Sequence, residues 1–459
     1  MSEIKVGILQ LYFKLYDDAF PDLRFSFEPF INSIGEKLKE KGFKIYTSSI
    51  CRVEDEFKSA IGDFEKNGVN VIVAVHLAYS LSLESIKPLI NTKIPLVIFE
   101  TTVKYDLSSD FTSEDIMLNH GIEGVQDLCN IMLRREKRFL IESGHWNEKD
   151  VIERVSEKIK SAAVLNNMNK SRTGIMGGFI KGVGDCFIAI DKLKEDLGIE
   201  TISTKPETIV DFLSDIKEND IKNELDYNEK NYSIKKIDTE SYLNSNKIGL
   251  AIRKWIEFEK LDAFTVNYFN LSSDSKIPTM PFIEASKAMA RGTGYAAEGD
   301  ILTASLLGSL LKVIPDCSFT EMYCPDWKND IVLLSHMGEI NVNLISGKPR
   351  IIIKNLPTIN IDNPAILVGQ FKEGDAVLVN LSLVKEKYTL ILSRIEMVSR
   401  KNELEDTITG WAKTKGKVGK FLADYSQAGG SHHLILVYGD YLNLLMDFGK
   451  ISGFDTVLV

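Results

Sequence analysis

Residues 69–77, Val-Asn-Val-Ile-Val-Ala-Val-His-Leu, form a short β-branched run, and similar runs recur on either side of it. KVGILQL (5–11) and FKIYTSS (43–49) precede it, IPLVIFE (94–100) and KRFLIES (137–143) follow, and longer polar-apolar segments of helical character separate them. This rhythm signals a parallel sheet covered by helices. No GxGxxG follows the first strand, GGFIKGVGD (177–185) does not match that spacing, and SGKPR (346–350) has Pro where a phosphate loop needs Ser or Thr. The sheet is therefore read as doubly wound without a dinucleotide.

A second alternating segment starts at TGIMGGF (173–179), and a polar stretch, residues 216–236, reads as an exposed insertion or long surface helix. The pattern returns with LDAFTVNYF (261–269). Pro281 opens a helical run, FIEASKAMARG, and Gly299-Asp300 opens another, ILTASLLGSLLKV, whose apolar residues fill more than one face and predict a buried helix. After Pro315 the chain turns to strand-like runs: DIVLLSH, INVNLIS, PRIIIKN, AILVGQF, DAVLVNLSL and YTLILSRIEMV, with a last helix near YLNLLMDFGKI. The expected fold is α/β, with two doubly wound α/β domains (residues 1–168 and 169–316) followed by a β-rich, barrel-like C-terminal domain (317–459).

With 459 residues, 44% of them hydrophobic, the chain is long enough for about three cores. The five cysteines are odd in number, scattered and never spaced CxxC, which argues against a disulfide framework or zinc ribbon and for a reducing compartment. The first residues lack the pattern of a secretory signal, and the longest nearly apolar run, residues 301–314, is too short to cross a bilayer; a cytoplasmic protein is expected. A net charge of −10 repels phosphate backbones and counts against nucleic acid as a partner.

The candidate chemistry lies late in the chain. Three of the six histidines, His336, His432 and His433, fall in the third domain, the last two behind a Gly-Gly turn. Glu298 stands just before a helix, and Glu321 sits between Phe319 and Tyr323, where a carboxylate is costly unless a cation meets it. Two carboxylates with two imidazoles make a mixed oxygen and nitrogen set suited to Mn²⁺ or Co²⁺ and tolerable for Mg²⁺. The same groups also fit the plainer reading of buried polar side chains that satisfy one another, or, for Glu298, of a charge favoured at a helix start.

At these residues the sequence resembles the L-arabinose isomerase family, with a more distant likeness to L-fucose isomerases. GYAAEGDILTASLL resembles the segment carrying the family's first metal-binding catalytic glutamate, which falls on Glu298. SFTEMYCPDWKNDIVLLSHMGEI resembles the block with the second glutamate and first histidine ligand, Glu321 and His336. AGGSHH resembles Ala-Gly-Gly-Ala-His-His, placing the last ligand on His433 with His432 beside it in the pocket. In the first half, LNHGIEG maps onto His120 a histidine that reaches into a neighbouring subunit's site. TVNYFNL puts Tyr268 where the family has a pocket phenylalanine, Met176 falls in a Met-Arg position, and Gln10 lies in the family's Gln-His-Leu-Tyr.

The resemblance implies a metal-dependent aldose–ketose isomerase working through an ene-diol on an open-chain sugar, L-arabinose to L-ribulose first among the reactions. It further implies Mn²⁺ as cofactor and a homotrimer or homohexamer with sites at subunit contacts. Glu298 and Glu321 would be catalytic, Glu298, Glu321, His336 and His433 metal-binding, and Gln10, His120, Met176, Tyr268 and His432 substrate-binding. The sequence departs from the family at Gln10-Leu-Tyr12, which lacks the His, at Met176-Gly-Gly and in a short C-terminal tail. Those changes touch the sugar rather than the metal set, so an isomerase for L-fucose, D-galactose or a rare pentose, or a non-catalytic sugar-binding protein of the same fold, are the alternatives.

Overall fold

The computed structural model describes residues 3–234, 237–270, 276–356, 361–400 and 404–459, and divides into two compact units. One comprises residues 2–167 and 444–453, the other residues 168–443 and 454–459.

The first unit is built on β1 (Lys5–Leu11), β2 (Lys44–Cys51), β3 (Val71–His76), β4 (Leu96–Glu100) and β5 (Leu140–Ser143), all parallel, in the order β2-β1-β3-β4-β5. Every residue of β3 is buried, as expected for a central strand with helices on both faces. Leu9, Leu11, Ile72, Ala74 and Ile98 share one core with Phe57, Ile61, Leu89 and Leu128 from the covering helices. The helix Leu442–Ser452, late in the chain, contributes to this unit: Ser161 Oγ donates to the carbonyl of Leu444 at 2.8 Å, and Lys158 pairs with Asp447 at 2.9 Å.

The second unit contains a four-stranded parallel sheet and a barrel. The sheet consists of β6 (Arg172–Met176), β7 (Glu200–Thr204), β9 (Ala263–Val266) and β10 (Gly294–Ala297), in the order β10-β9-β6-β7. A short strand, β8 (Ser233–Ile234), pairs instead with β13 (Ile345–Ile353), which pairs with β14 (Ala365–Phe371). The remaining strands are β11 (Cys317–Asp326), β12 (Ile331–Ser335), β15 (Gly374–Val384), β16 (Lys387–Val398), β17 (Gly410–Thr414), β18 (His433–Tyr438) and β19 (Asp455–Leu458). The first six of these run β15-β18-β11-β12-β17-β16 and close through an antiparallel β16–β15 ladder; β19 adds parallel to β16 outside the ring. Closure removes the free edges that an open sheet of this size would present.

The helix Ile301–Leu311 packs against β6, β9 and β10 of the sheet and against β11, β15 and β18 of the barrel. That double burial explains why all its residues are buried and why its sequence carries no polar stripe. It lies so close to β10 that a Cβ on Gly294 would collide with the carbonyl oxygen of Ala304. The polar stretch after Ile216 contains the helix Glu218–Asn231, yet Glu224 and Asn228 within it are buried. Lys235 and Lys236 of that stretch lie outside the described residues. INVNLIS, expected as one strand, begins as a 3-10 turn at Val342–Leu344, because Asn341 accepts the Asn343 amide with its own side chain at 3.1 Å and bends the backbone before β13.

Candidate active site

The site forms where the carboxyl ends of the parallel strands meet one end of the barrel. Glu321 on β11 stands opposite Ser335 of β12 on one side and His433 of β18 on the other. His336 directly follows Ser335, so the ladder register alone brings Glu321, His336 and His433 together. Phe319, two residues before Glu321 and so on the same face of the strand, packs edge-on against both imidazoles, its ring centroid 4.8 Å from His336 and 4.9 Å from His433. From the sheet, β10 delivers Glu298 at its carboxyl end, where ligands of open parallel sheets are commonly bound. Glu298 holds a left-handed φ of 64° and Gly299 one of 88°. Such a conformation in a non-glycine residue costs on the order of 1–3 kcal/mol and is kept where its surroundings fix it.

The side chains converge. Glu321 Oε1 lies 3.2 Å from Nε2 of His336 and 3.2 Å from Nε2 of His433. His432 Nε2 is 3.3 Å from Glu298 Oε2 and 4.0 Å from Glu321 Oε1. Tyr268, just past β9, donates its hydroxyl to Glu298 Oε1 at 3.0 Å. Each imidazole is held from behind by a further carboxylate on Nδ1: Glu339 on His336 at 2.6 Å, Asp300 on His433 at 2.9 Å, and Asp185 on His432 at 2.7 Å. Glu339 also accepts from the buried Tyr295 hydroxyl at 2.6 Å, and Asp185 from the His432 amide at 2.9 Å. Ionised carboxylates only accept hydrogen bonds, so each Nδ1 carries a proton; a second proton on Nε2 lets a ring donate to Glu321 or Glu298, and its loss leaves an Nε2 lone pair facing them.

Burial alone would raise the Glu321 carboxyl, but the close imidazoles of His336 and His433 outweigh it and hold the group well below the usual carboxylate range. The Glu298 carboxyl is likewise lowered, burial being outweighed by His432, His433 and Tyr268. Burial pulls the His336 ring down, while Glu339 and Glu321 drive it up to about 10; His432 also reaches about 10, with Asp185 and Glu298 as the main opposing partners.

The residues fit a divalent cation. Nε2 of His433 is buried and makes no hydrogen bond, although it lies 3.2 Å from a carboxylate oxygen. A buried lone pair beside an anion is unfavourable until a positive charge joins them. Carboxylates also outnumber imidazoles: Glu298, Glu321, Glu339, Asp185 and Asp300 face His336, His432 and His433, and ligating atoms of Glu321, His336 and His433 lie within 4.8 Å of one another. Glu298, His432 and His433 form an overlapping set with the buried thiol of Cys186.

Met176 closes β6 fully buried, its carbonyl accepting the Asn267 amide at 2.9 Å. Gln10 and His120 belong to the other compact unit. Gln10 donates its amide to the carbonyl of Ser48, and His120 accepts from the Tyr16 hydroxyl at 2.8 Å with Nε2 while Nδ1 points to the carbonyls of Ile116 and Met117. The carboxylates behind the imidazoles, Asp185, Asp300 and Glu339, were not singled out from the sequence. Only Asp300 carried a local signal, as the residue that opens the buried helix.

Two family models match the chain: the L-arabinose isomerase central domain over residues 191–316 and the L-arabinose isomerase C-terminal domain over residues 316–455. An L-arabinose isomerase from Shigella flexneri is 23% identical over 94% of this chain and 89% of its own length. Another, from Geobacillus kaustophilus, is 24% identical over 81% of this chain and 77% of its own length. A solved periplasmic solute-binding protein from Actinobacillus succinogenes with bound D-allose covers 68% of this chain and 92% of its own at 11% identity, with a TM-score of 0.17, too low to bear on the fold. A parallel-sheet scaffold, a closed barrel and these matches define a sugar isomerase. The chain belongs to the L-arabinose isomerase family.

Proposed function

We propose that the protein is a metal-dependent aldose–ketose isomerase whose leading reaction is L-arabinose to L-ribulose. The observation that carries this reading is the cluster of Glu321, His336 and His433 at the buried Nε2 of His433, with Glu298 in a second set that shares His433. These four side chains would hold the ion, with Mn²⁺ first and Co²⁺ or Mg²⁺ as substitutes. A divalent cation there would polarise the sugar carbonyl and make the neighbouring hydroxyl and C–H more acidic.

The rest belongs to the chain's own groups. Glu298 and Glu321 divide two proton transfers, one between C2 and C1 and one between the two oxygens, with an ene-diol between them. Tyr268 and His432 hold the two oxygens of Glu298, so its carboxylate is oriented before substrate arrives. His432 and Tyr268 would border the sugar; Met176, whose side chain is fully buried, and Gln10 and His120, which belong to the other compact unit, take substrate-binding roles from the family resemblance alone, His120 from a neighbouring subunit of a trimer or hexamer. The first unit exposes Leu15, Phe20, Phe25, Phe111, Ile116 and Ile122, an apolar surface of the kind that subunits cover. All five cysteines are free, and among the described residues no helix is long and apolar enough to cross a membrane, which supports a place in the cytoplasm.

The test is isomerisation of a panel of aldoses with Mn²⁺, before and after chelation, with ketose formation as the readout. Turnover of L-arabinose that chelation abolishes supports the reading; no turnover of any pentose or hexose overturns it. The Tyr268 hydroxyl on Glu298, where relatives are expected to carry phenylalanine, favours a second reading in which the preferred aldose is another sugar.

A further inference from the structure

We infer that Asp300 is a positioning residue that decides which nitrogen of His433 faces a bound cation, and that the same carboxylate ties this choice to the placement of Glu298. The inference rests on the metal-dependent reading above.

Asp300 is 3% exposed and uses both oxygens. Oδ1 accepts the Thr303 amide at 2.9 Å and caps the helix Ile301–Leu311. Oδ2 lies 2.9 Å from Nδ1 of His433 on the barrel. Because the ionised carboxylate can only accept, the proton of a neutral His433 resides on Nδ1 and Nε2 keeps its lone pair. That Nε2 is the buried atom without a hydrogen-bond partner, facing Glu321. Cys186 Sγ lies 3.4 Å from the same Nδ1, but a thiol both donates and accepts weakly and cannot impose a tautomer.

Asp300 follows Glu298 by two residues, across the left-handed pair Glu298-Gly299. A Cβ on Gly299 would stand 2.8 Å from the carbonyl oxygen of Gly178, so the turn has little freedom to shift. One carboxylate thus fixes both the start of the helix and the ring that presents Nε2, two residues from Glu298 across a turn with little freedom to shift. An ordinary capping aspartate would account for the first of these alone.

Two substitutions separate capping from positioning. Asp300→Ser keeps a capping oxygen on a side chain one atom shorter, and Asp300→Asn keeps a capping oxygen while offering an N–H to Nδ1, which moves the ring proton to Nε2. Mn²⁺ binding to the metal-free proteins is measured by calorimetry alongside their melting temperatures. The expected result is melting within a few degrees of wild type for both variants, with Mn²⁺ affinity reduced about 10- to 100-fold. Mn²⁺ bound by both variants as tightly as by wild type overturns the inference and leaves the metal-dependent reading intact. A wild-type protein that binds neither Mn²⁺, Co²⁺ nor Mg²⁺ overturns both.

Discussion

The hydroxyl of Tyr268 and the carboxylate of Glu298 share a hydrogen bond of 3.0 Å, and the second oxygen of that carboxylate is engaged by His432 at 3.3 Å. Glu298 is therefore gripped from two sides. Tyr268→Phe releases one of them. A hydrogen bond to a charged group contributes roughly 1.5–3 kcal/mol, so kcat on the preferred aldose should fall about 10-fold or more, with a smaller change in KM. Initial-rate kinetics with saturating Mn²⁺ check this; an unchanged kcat removes Tyr268 from the positioning of Glu298.

Glu298→Gln and Glu321→Gln keep shape and remove charge. Each should lower kcat by at least ~10²-fold, the scale of a lost general acid or base. Glu321→Gln should also weaken Mn²⁺ binding, since Glu321 Oε1 stands 3.2 Å from two imidazoles. Ketose formation and calorimetric titration read the two effects separately, and a sugar-binding protein without turnover would have no activity to lose.

Ligation of an ion by groups from both the sheet and the barrel links metal to folding. At a free Mn²⁺ concentration 100 times its dissociation constant, stability rises by about 2.7 kcal/mol, so the melting temperature of the metal-free protein should increase on titration and fall back with chelator. Differential scanning fluorimetry measures it. No shift at any Mn²⁺ concentration would contradict the site.

His76, at the end of β3, is 3% exposed and neither ring nitrogen has a hydrogen-bond partner. Burial lowers its pKa from 6.5 to about 3, with Asp127 opposing weakly. Between those values the unfolded chain binds the proton and the folded one does not, so stability is full above pH 6.5 and is lost as pH falls toward 3. The loss is on the order of a few kcal/mol. His76→Leu should flatten the acid side of the stability profile, measured by urea midpoints from pH 7 to 4; an unaltered profile would assign the acid sensitivity elsewhere.

Arg253 bridges two carboxylates, Glu224 at 2.9 Å and Glu284 at 2.7 Å, and Glu284 is 1% exposed. Glu284→Ala leaves Arg253 half-paired in a buried setting, and breaking such a pair costs about 3–5 kcal/mol. The urea midpoint should drop accordingly, while Mn²⁺ affinity of the folded protein stays near wild type. A drop below about 1 kcal/mol would mean that solvent reaches the pair more freely than its burial indicates.

Much of this fold is legible in the sequence. The runs at 5–11, 43–49, 69–77, 94–100 and 137–143 became the five parallel strands; the inner three, buried on both faces, leave a continuous apolar signature, while the edge strands β2 and β5 are partly open to solvent and show a weaker one. The helix Ile301–Leu311 showed its burial through apolar residues on every face. Glu321, His336 and His433 come together because register, which no single run of sequence records, sets Glu321 opposite His433 and Ser335. What local pattern could not reveal are partners distant in sequence. Asp185 and His432 are 247 positions apart, and neither segment announces the other. Glu339 lies between two strand-like runs, and nothing in its own segment marks it as the partner of the Tyr295 hydroxyl and the His336 ring.

The late helix Leu442–Ser452 has a consequence for how the chain can be handled. Residues 444–453 complete the unit begun by residues 2–167, and the chain then returns to lay β19 against β16. No single cut in the polypeptide yields two self-sufficient fragments. The first 167 residues expressed alone would lack a helix and leave the groups that meet Leu444 and Asp447 facing water. A truncation after Tyr441 would injure both units at once, and exchanging the first unit for that of a relative would require two grafts.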